Sequence, residues 1–218
     1  MSAKALRAKL ADARTLIALT AVIAPLCAQA QARRPATPPA SPAISASQRV
    51  MAGSMLSVVV SRAPAGARLA VARPGSPASS AILVEAIGAR PSVTIPVPGL
   101  AADYELRLTR DEAGLPVILL TQPLIATQAQ ATLAASTRIR RGAAFPARGI
   151  GPNGERDRVV LVPKDAPADT SGPSFFPAEN VEAVLDAPDT PGDYELRYLM
   201  NAPLAEGRVL ARQGIVVE

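Results

Sequence analysis

The residues best placed to do chemistry come as a repeated pair. Glu105 and Arg107 lie in the stretch DYELR at 103–107, and Glu195 and Arg197 lie in the same five residues at 193–197, ninety positions further on. A carboxylate and a guanidinium two residues apart could work as an acid–base pair or hold an anion. The residues between them point elsewhere. In a strand, successive side chains alternate faces. Tyr104, Leu106 and Leu108 then share one face, while Asp103, Glu105 and Arg107 share the other. In the second copy Tyr194, Leu196, Tyr198 and Met200 line up on the apolar face. On this reading the charged residues are solvated strand positions joined in cross-strand pairs, each contributing about 0–1 kcal/mol. The motif is expected to be architecture used twice.

Composition narrows the chemistry further. The chain has no histidine, which removes the commonest general base, the usual zinc and copper ligand, and every Ser-His or Cys-His arrangement. No Gly-rich phosphate loop follows a strand, and no S-x-x-K nucleophile pair occurs. No catalytic, metal or cofactor residue is assigned, no cofactor is expected, and the chain is not expected to be an enzyme.

The N-terminus bounds the location. Lys4, Arg7, Lys9 and Arg14 face a single acid, Asp12, and are followed by the uncharged run TLIALTAVIAPLCA (15–28) and then AQAQA (28–32). A basic start, an apolar run and an A-x-A site form the pattern of a secretory signal peptide, cleaved after Ala30 or Ala32. The 14-residue run falls short of the roughly 20 needed to span a bilayer, so no membrane span is expected after cleavage. Cys27 is preceded by Leu26, where a lipid-attachment box has a small residue, and it reads as an ordinary member of the apolar run. Removing residues 1–32 takes away those four bases and Asp12, lowering the net charge from +5 to +2. The basic pI is therefore no argument for nucleic acid as a partner. Lys164 is the only lysine beyond the leader; the preference for arginine, with abundant Ala and Pro, fits a GC-rich bacterial genome. No cysteine remains, so stability must come from apolar burial.

Residues 33–43, RRPATPPASPA, read as a Pro-rich linker. Beyond them, short apolar runs separated by Gly, Pro, Asp and Ser predict strands, with no helical period. The repeat reaches past DYELR: RLAVARPGSP (68–77) matches RVVLVPKDAP (158–167), and SVTIPVPGLAADYELRL (92–108) matches EAVLDAPDTPGDYELRY (182–198), both at an offset of ninety. That is a duplicated domain rather than a solenoid. The expected organisation is a signal peptide (1–32), the linker (33–43) and two domains, 44–135 and 136–218. Each domain has about seven strands, making the fold all-β with two tandem immunoglobulin-like β-sandwiches.

The segment TPGDYELRY resembles the tyrosine corner of immunoglobulin-like domains, in which a Tyr near the start of the sixth strand bonds back to backbone. The resemblance implies that role for Tyr104 and Tyr194. Tyr198 is expected to pack its ring without a corner partner. The longer stretch VEAVLDAPDTPGDYELRYLM…GRVLARQGIVV is similar to the Ig-like repeats that follow von Willebrand A domains in some bacterial envelope proteins. The A domain itself is absent. DTSGPS (169–174) resembles the D-x-S-x-S metal site of such domains, but Pro173 takes the last serine position, and the segment reads as a polar turn. These resemblances imply an exported, non-enzymatic structural or protein-interaction module of the bacterial cell envelope, periplasmic or otherwise extracytoplasmic, with a protein partner there. Two alternatives stand beside it. A pilus-type chaperone would donate the strand LPVILLTQPLIA (115–126), against which Pro123 counts. A glycan-binding module would need exposed aromatic rings, and the chain has only six aromatic residues.

Overall fold

Strands whose outer face meets solvent alternate apolar and polar residues, and strands covered on both faces read as unbroken apolar runs. Both kinds occur. The protein is described by a computed structural model covering residues 41–178 and 181–218. The expected signal peptide and most of the linker lie outside these described residues. The first sandwich contains β1 (Ala43–Ser45), β2 (Arg49–Met51), β3 (Met55–Ser61), β4 (Arg68–Ala72), β5 (Ala81–Ala86), β6 (Ser92–Pro96), β7 (Ala102–Glu112) and β8 (Leu115–Thr127). The second contains β9 (Thr132–Ala135), β10 (Arg138–Ile139), β11 (Ala144–Ile150), β12 (Arg158–Pro163), β13 (Ser174–Phe175), β14 (Ala183–Asp186), β15 (Gly192–Ala202) and β16 (Ala205–Val217). In β3, MLSVVVS alternates buried and exposed positions. In β4 and β12, LAVA and VVLV are buried on both faces, because a long loop lies over the outer side.

Each sandwich packs a three-stranded sheet on a five-stranded one. The orders are β1-β3-β6 with β2-β8-β7-β4-β5, and β14-β11-β9 with β10-β16-β15-β12-β13. The two orders correspond strand for strand, so the duplication seen in the sequence is a duplication of topology. The architecture is all-β and immunoglobulin-like. The opening segment of each unit divides in two. Its first part joins the smaller sheet, and its second crosses over to pair parallel with the last strand, as in Arg49↔Ile125 and Arg138↔Val216. The expected boundary at 135/136 also moves. β9 pairs with β11, Ala135 opposite Ala147 and Thr132 opposite Ile150, so the second sandwich already includes Thr132. The linker likewise ends early, since Ala43 pairs with Ser61.

Tyr104, Leu106 and Leu108 enter the first core with Leu56, Val58, Leu69, Val71 and Ile95. Leu196 and Tyr198 enter the second with Phe145, Val159, Leu161 and Ile215. The first core does not stop at its own sandwich: Met200 and Ala202 belong to it, with Ala205 packed against them. This joint requires glycine. A Cβ on Gly99 would lie 2.5 Å from Ala205 Cβ and 2.8 Å from Met200 Cε. Gly53, at φ 83°, brings its α-carbon against the Met200 thioether, where a Cβ would lie 2.3 Å from Sδ. The backbone N–H of Gly99 donates to the Pro203 carbonyl at 2.8 Å, tying the two sandwiches together. Gly99→Ala overfills this joint and is expected to destabilise the chain by about 1–3 kcal/mol. A denaturant melt of the full chain checks it; an unchanged midpoint would show that the joint is loose.

Candidate functional site

The repeated motif is built by β7 and β15, the middle strand of each five-stranded sheet. Their inward faces are the expected ones. The Tyr104 hydroxyl donates to the Leu100 carbonyl and the Tyr194 hydroxyl to the Thr190 carbonyl, both at 3.0 Å and both four residues back. The two rings differ in setting. Tyr104 is buried, with the Arg73 guanidinium 5.0 Å from its ring centre, and burial raises its pKa while that cation partly offsets the rise. Tyr194 is half-buried.

The outward faces overturn the expectation. Arg107 and Arg197 are 2% and 1% exposed, among the most buried large side chains in the protein. Their main ionic contacts run along their own strand. Arg107 Nε and Nη2 donate to Glu105 Oε2 at 2.8 and 2.6 Å. Arg197 Nε donates to Glu195 Oε1 at 2.8 Å, and its Nη2 reaches the same oxygen. The remaining donors are satisfied by the loop that lies on top. Arg107 reaches the carbonyls of Pro77 and Arg73 at 3.2 and 3.1 Å. Arg197 reaches those of Pro167 and Ala166 at 2.8 and 2.5 Å. Solvation fails because the loops 73–80 and 163–173 fold back across the sheet after β4 and β12. Their carbonyls, turned inward, need a donor that the strand below supplies. A guanidinium carries five N–H groups and no acceptor, which suits it to pinning a loop by several carbonyls at once.

The acids are held ionised. For Glu105 the hydrogen bond from Arg107 is the largest influence and lowers the pKa; partial desolvation opposes it, and the Gly75 N–H at 3.3 Å lowers it further. For Glu195 burial is the largest influence and pushes the pKa up, but the bonds from Arg197 and from Arg212, whose Nη1 donates at 2.7 Å, together outweigh it. The position opposite Arg197 is Arg212, whereas the position opposite Arg107 is Thr121, so only the second copy has a second cation on its glutamate.

Tyr198 also departs from expectation. It is fully buried, and its hydroxyl has three partners: it accepts from the Asn153 N–H at 2.9 Å and can donate to Asp157 Oδ2 at 2.9 Å or Asn153 Oδ1 at 3.2 Å. Asp157, itself buried, accepts from the N–H groups of Gly154 and Asn201, each at 2.9 Å. Burial drives the Tyr198 phenol far above its ordinary pKa; the Asn153 N–H works against this and the Asp157 carboxylate adds to it. None of this exists in the first copy, where Leu108, Ala67 and Ala63 stand at the corresponding places. The signal available in the sequence was the joint appearance of a Tyr and an Asp at two positions that are both apolar in the other repeat.

The motif thus brings together hydrogen bonds that hold loops. No nucleophile is activated and no carboxylate pair is separated for acid and base duty. Among the described residues, no cluster of three or more His, Cys, Asp or Glu is placed to hold a metal. Asp169 and Ser171 of DTSGPS sit in the covering loop, which also lines a cavity with Arg158.

No protein-family model matches the chain, and no curated protein sequence matches it. Among solved structures it is similar to the BSP domain of a biofilm associated protein, at 11% identity and TM-score 0.31 over 81% of this chain and 29% of that one. It is similar to the human OSCAR ligand-binding domain, at 16% identity and TM-score 0.33 over 81% and 98%. It is also similar to the Yersinia pseudotuberculosis adhesin InvE, at 13% identity and TM-score 0.27 over 81% and 58%. The chain spans under a third of the biofilm protein. At these values the likeness goes no further than the sandwich fold that the sheet order already establishes.

Two predictions follow from the geometry of the motif. Arg197→Ala breaks a buried ion pair and frees two loop carbonyls, for a loss of about 3 kcal/mol. Tyr198→Phe strands the Asn153 N–H for about 1–3 kcal/mol, while Tyr194→Phe, at a wetter site, loses about 0.5 kcal/mol. Urea melts of the three variants should fall in that order, and a neutral Arg197→Ala would return the charged face to solvent. The second concerns acid. Because Glu105 and Glu195 titrate lower in the folded chain than in the unfolded one, their stabilisation is full above the unfolded glutamate pKa of about 4.3. It is lost as pH falls through the lower folded values. Melts from pH 6 downward should steepen in that acid window, and Glu195→Gln should flatten the slope.

Proposed function

We propose that the protein is an exported, non-enzymatic structural and protein-interaction module of the bacterial cell envelope. The observation that carries this reading is the joint between the sandwiches. Met200 and Ala202 of the second unit complete the core of the first, and glycines at 53 and 99 admit the close approach. A pair of sandwiches sharing core residues is a stiff unit that holds two surfaces at a fixed separation, as a spacer or scaffold requires. The use of the repeated ionic groups to pin loops supports the non-enzymatic half of the reading. The leader pattern at 1–32 supports export, and the resemblance of the C-terminal stretch to repeats beside von Willebrand A domains supports an envelope setting with an adhesive or scaffolding neighbour.

The test is made in the native host. The protein is expected in the extracytoplasmic fraction, beginning at Gln31 or Arg33 by N-terminal sequencing, and crosslinking in intact envelopes should capture a defined envelope protein. Recovery from the cytoplasm with Met1 or Ser2 at the N-terminus would overturn it.

A further inference from the structure

The duplication supplies an internal comparison that isolates a second candidate site. In the first sandwich, Arg68 on the outer face of β4 forms an ion pair with Asp111 of β7 at 2.8 Å, at the edge of a cavity of about 200 Å³. In the second sandwich, the same cavity recurs at about 260 Å³ with Arg158 in the place of Arg68. Here the carboxylate is gone, because Asn201 stands where Asp111 does, and an acid has moved to Asp169, which replaces Ser79. Among the described residues, neither Arg158 nor Asp169 has an ion-pair partner within 4.0 Å. Thr170 and Ser171 add two hydroxyls to the same wall. Asn201 is fixed in place, its Nδ2 donating to the Arg156 carbonyl and its Oδ1 accepting from the Gly207 N–H. Beside this cavity, sharing Arg158 and Asn201 with it, lies a second hollow that Phe176 and Arg156 also line, the latter paired with Glu206 at 3.8 Å. The Phe176 ring is 69% exposed.

We propose that Arg158, Asp169, Thr170, Asn201 and Phe176 form a binding site for an acidic sugar unit, a hexuronate carried on an extracellular or envelope polysaccharide. A free guanidinium at the mouth is a fork for a carboxylate. The unpaired Asp169 argues against a purely anionic ligand such as phosphate or an acidic peptide, which it would repel. It fits a ligand that presents hydroxyl donors next to its carboxylate. Thr170, Ser171 and Asn201 offer the mixed donors and acceptors that ring hydroxyls need. Phe176 provides a flat apolar surface for the C–H face of a pyranose ring. The cavity, below the roughly 300–1,000 Å³ of drug-sized sites, is on the scale of one sugar. The first repeat cannot do this, since its arginine is already occupied by Asp111. The sequence alone counted too few aromatics for a glycan site; one exposed ring beside a polar cavity is enough for a single-sugar contact.

The experiment uses the full chain. Trigalacturonate, neutral galactotriose and a hexaglutamate peptide are titrated separately against ¹⁵N-labelled protein, following the Arg158 Nε–H and the Asn201 side-chain amide. Trigalacturonate should shift both signals saturably in the millimolar range, with at least tenfold weaker effects from the other two. Asn201→Asp, which rebuilds the Arg68–Asp111 pair in the second repeat, should weaken trigalacturonate binding at least tenfold, as should Arg158→Gln; a thermal melt checks that each variant is folded. Equal binding of hexaglutamate would reassign the site to acidic protein. Equal binding of galactotriose would remove the role of Arg158. Absence of any shift, or shifts insensitive to both variants, would overturn the site.

Discussion

A buried arginine on a central strand is the constraint around which each sandwich is arranged. These domains have no disulfide and no tryptophan, the usual means by which small sandwiches lock their sheets. Arg107 and Arg197 take over part of that work from the outer face. Each joins a strand to a loop that would otherwise lie free over it. The arrangement holds only if every N–H finds an acceptor, since an uncompensated buried cation would cost several kcal/mol. The glutamate two residues earlier neutralises the charge, and the loop carbonyls complete the donor set. Loop and strand thus depend on one another, and β4 and β12 can be apolar on both faces because the pinned loop keeps water from the outer one.

The second sandwich elaborates the same plan where it meets the first. Tyr198 and Asp157, both buried, join the half-buried Asn153 in a network that fixes the loop 151–157 and, through the Asn201 N–H, the end of β15. Met200 leaves from that same end toward Gly53 and Gly99 of the first sandwich. A fully satisfied buried polar network specifies one arrangement where an apolar core would tolerate several. The joint requires such definition: Met is a flexible filler, and its thioether has to arrive at a glycine with no room for a Cβ.

Much of the fold was legible in the sequence because its signals are local. Alternation in DYELR, the offset of ninety and the punctuation by Gly and Pro gave the strands, their faces and the duplication. The Tyr104 and Tyr194 hydroxyls reach carbonyls only four residues away, a separation that lies within one local pattern. The charged face was misread for a reason of the same kind. Whether the outer side of a strand is wet depends on a loop thirty residues earlier folding back over it, and alternation says only that a face is polar, not that it is open. Tyr198 was missed because its partners lie forty-one and forty-five residues upstream. The boundary slipped by four residues because β9 has no turn chemistry setting it apart from the segment that follows.

Comparison of the repeats recovers part of what local patterns miss. Positions alike in both copies, the Tyr–Glu–Arg series and Pro77 with Pro167, belong to the shared plan of loop and strand. Positions that differ together mark where the two copies part from that plan. Tyr198 in place of Leu108 and Asp157 in place of Ala67 are the two differences that make the network behind the joint. Asn201 in place of Asp111 and Asp169 in place of Ser79 leave the second copy without the Arg68–Asp111 type of ion pair, with Arg158 and Asp169 both lining its cavity. A lone change of Asp111 to Asn would leave a surface arginine with one weak partner fewer, worth about 0–1 kcal/mol. The paired change keeps the cavity's charge balanced while leaving both groups available, a state that does little for stability and makes physical sense when a third, external group can bridge them.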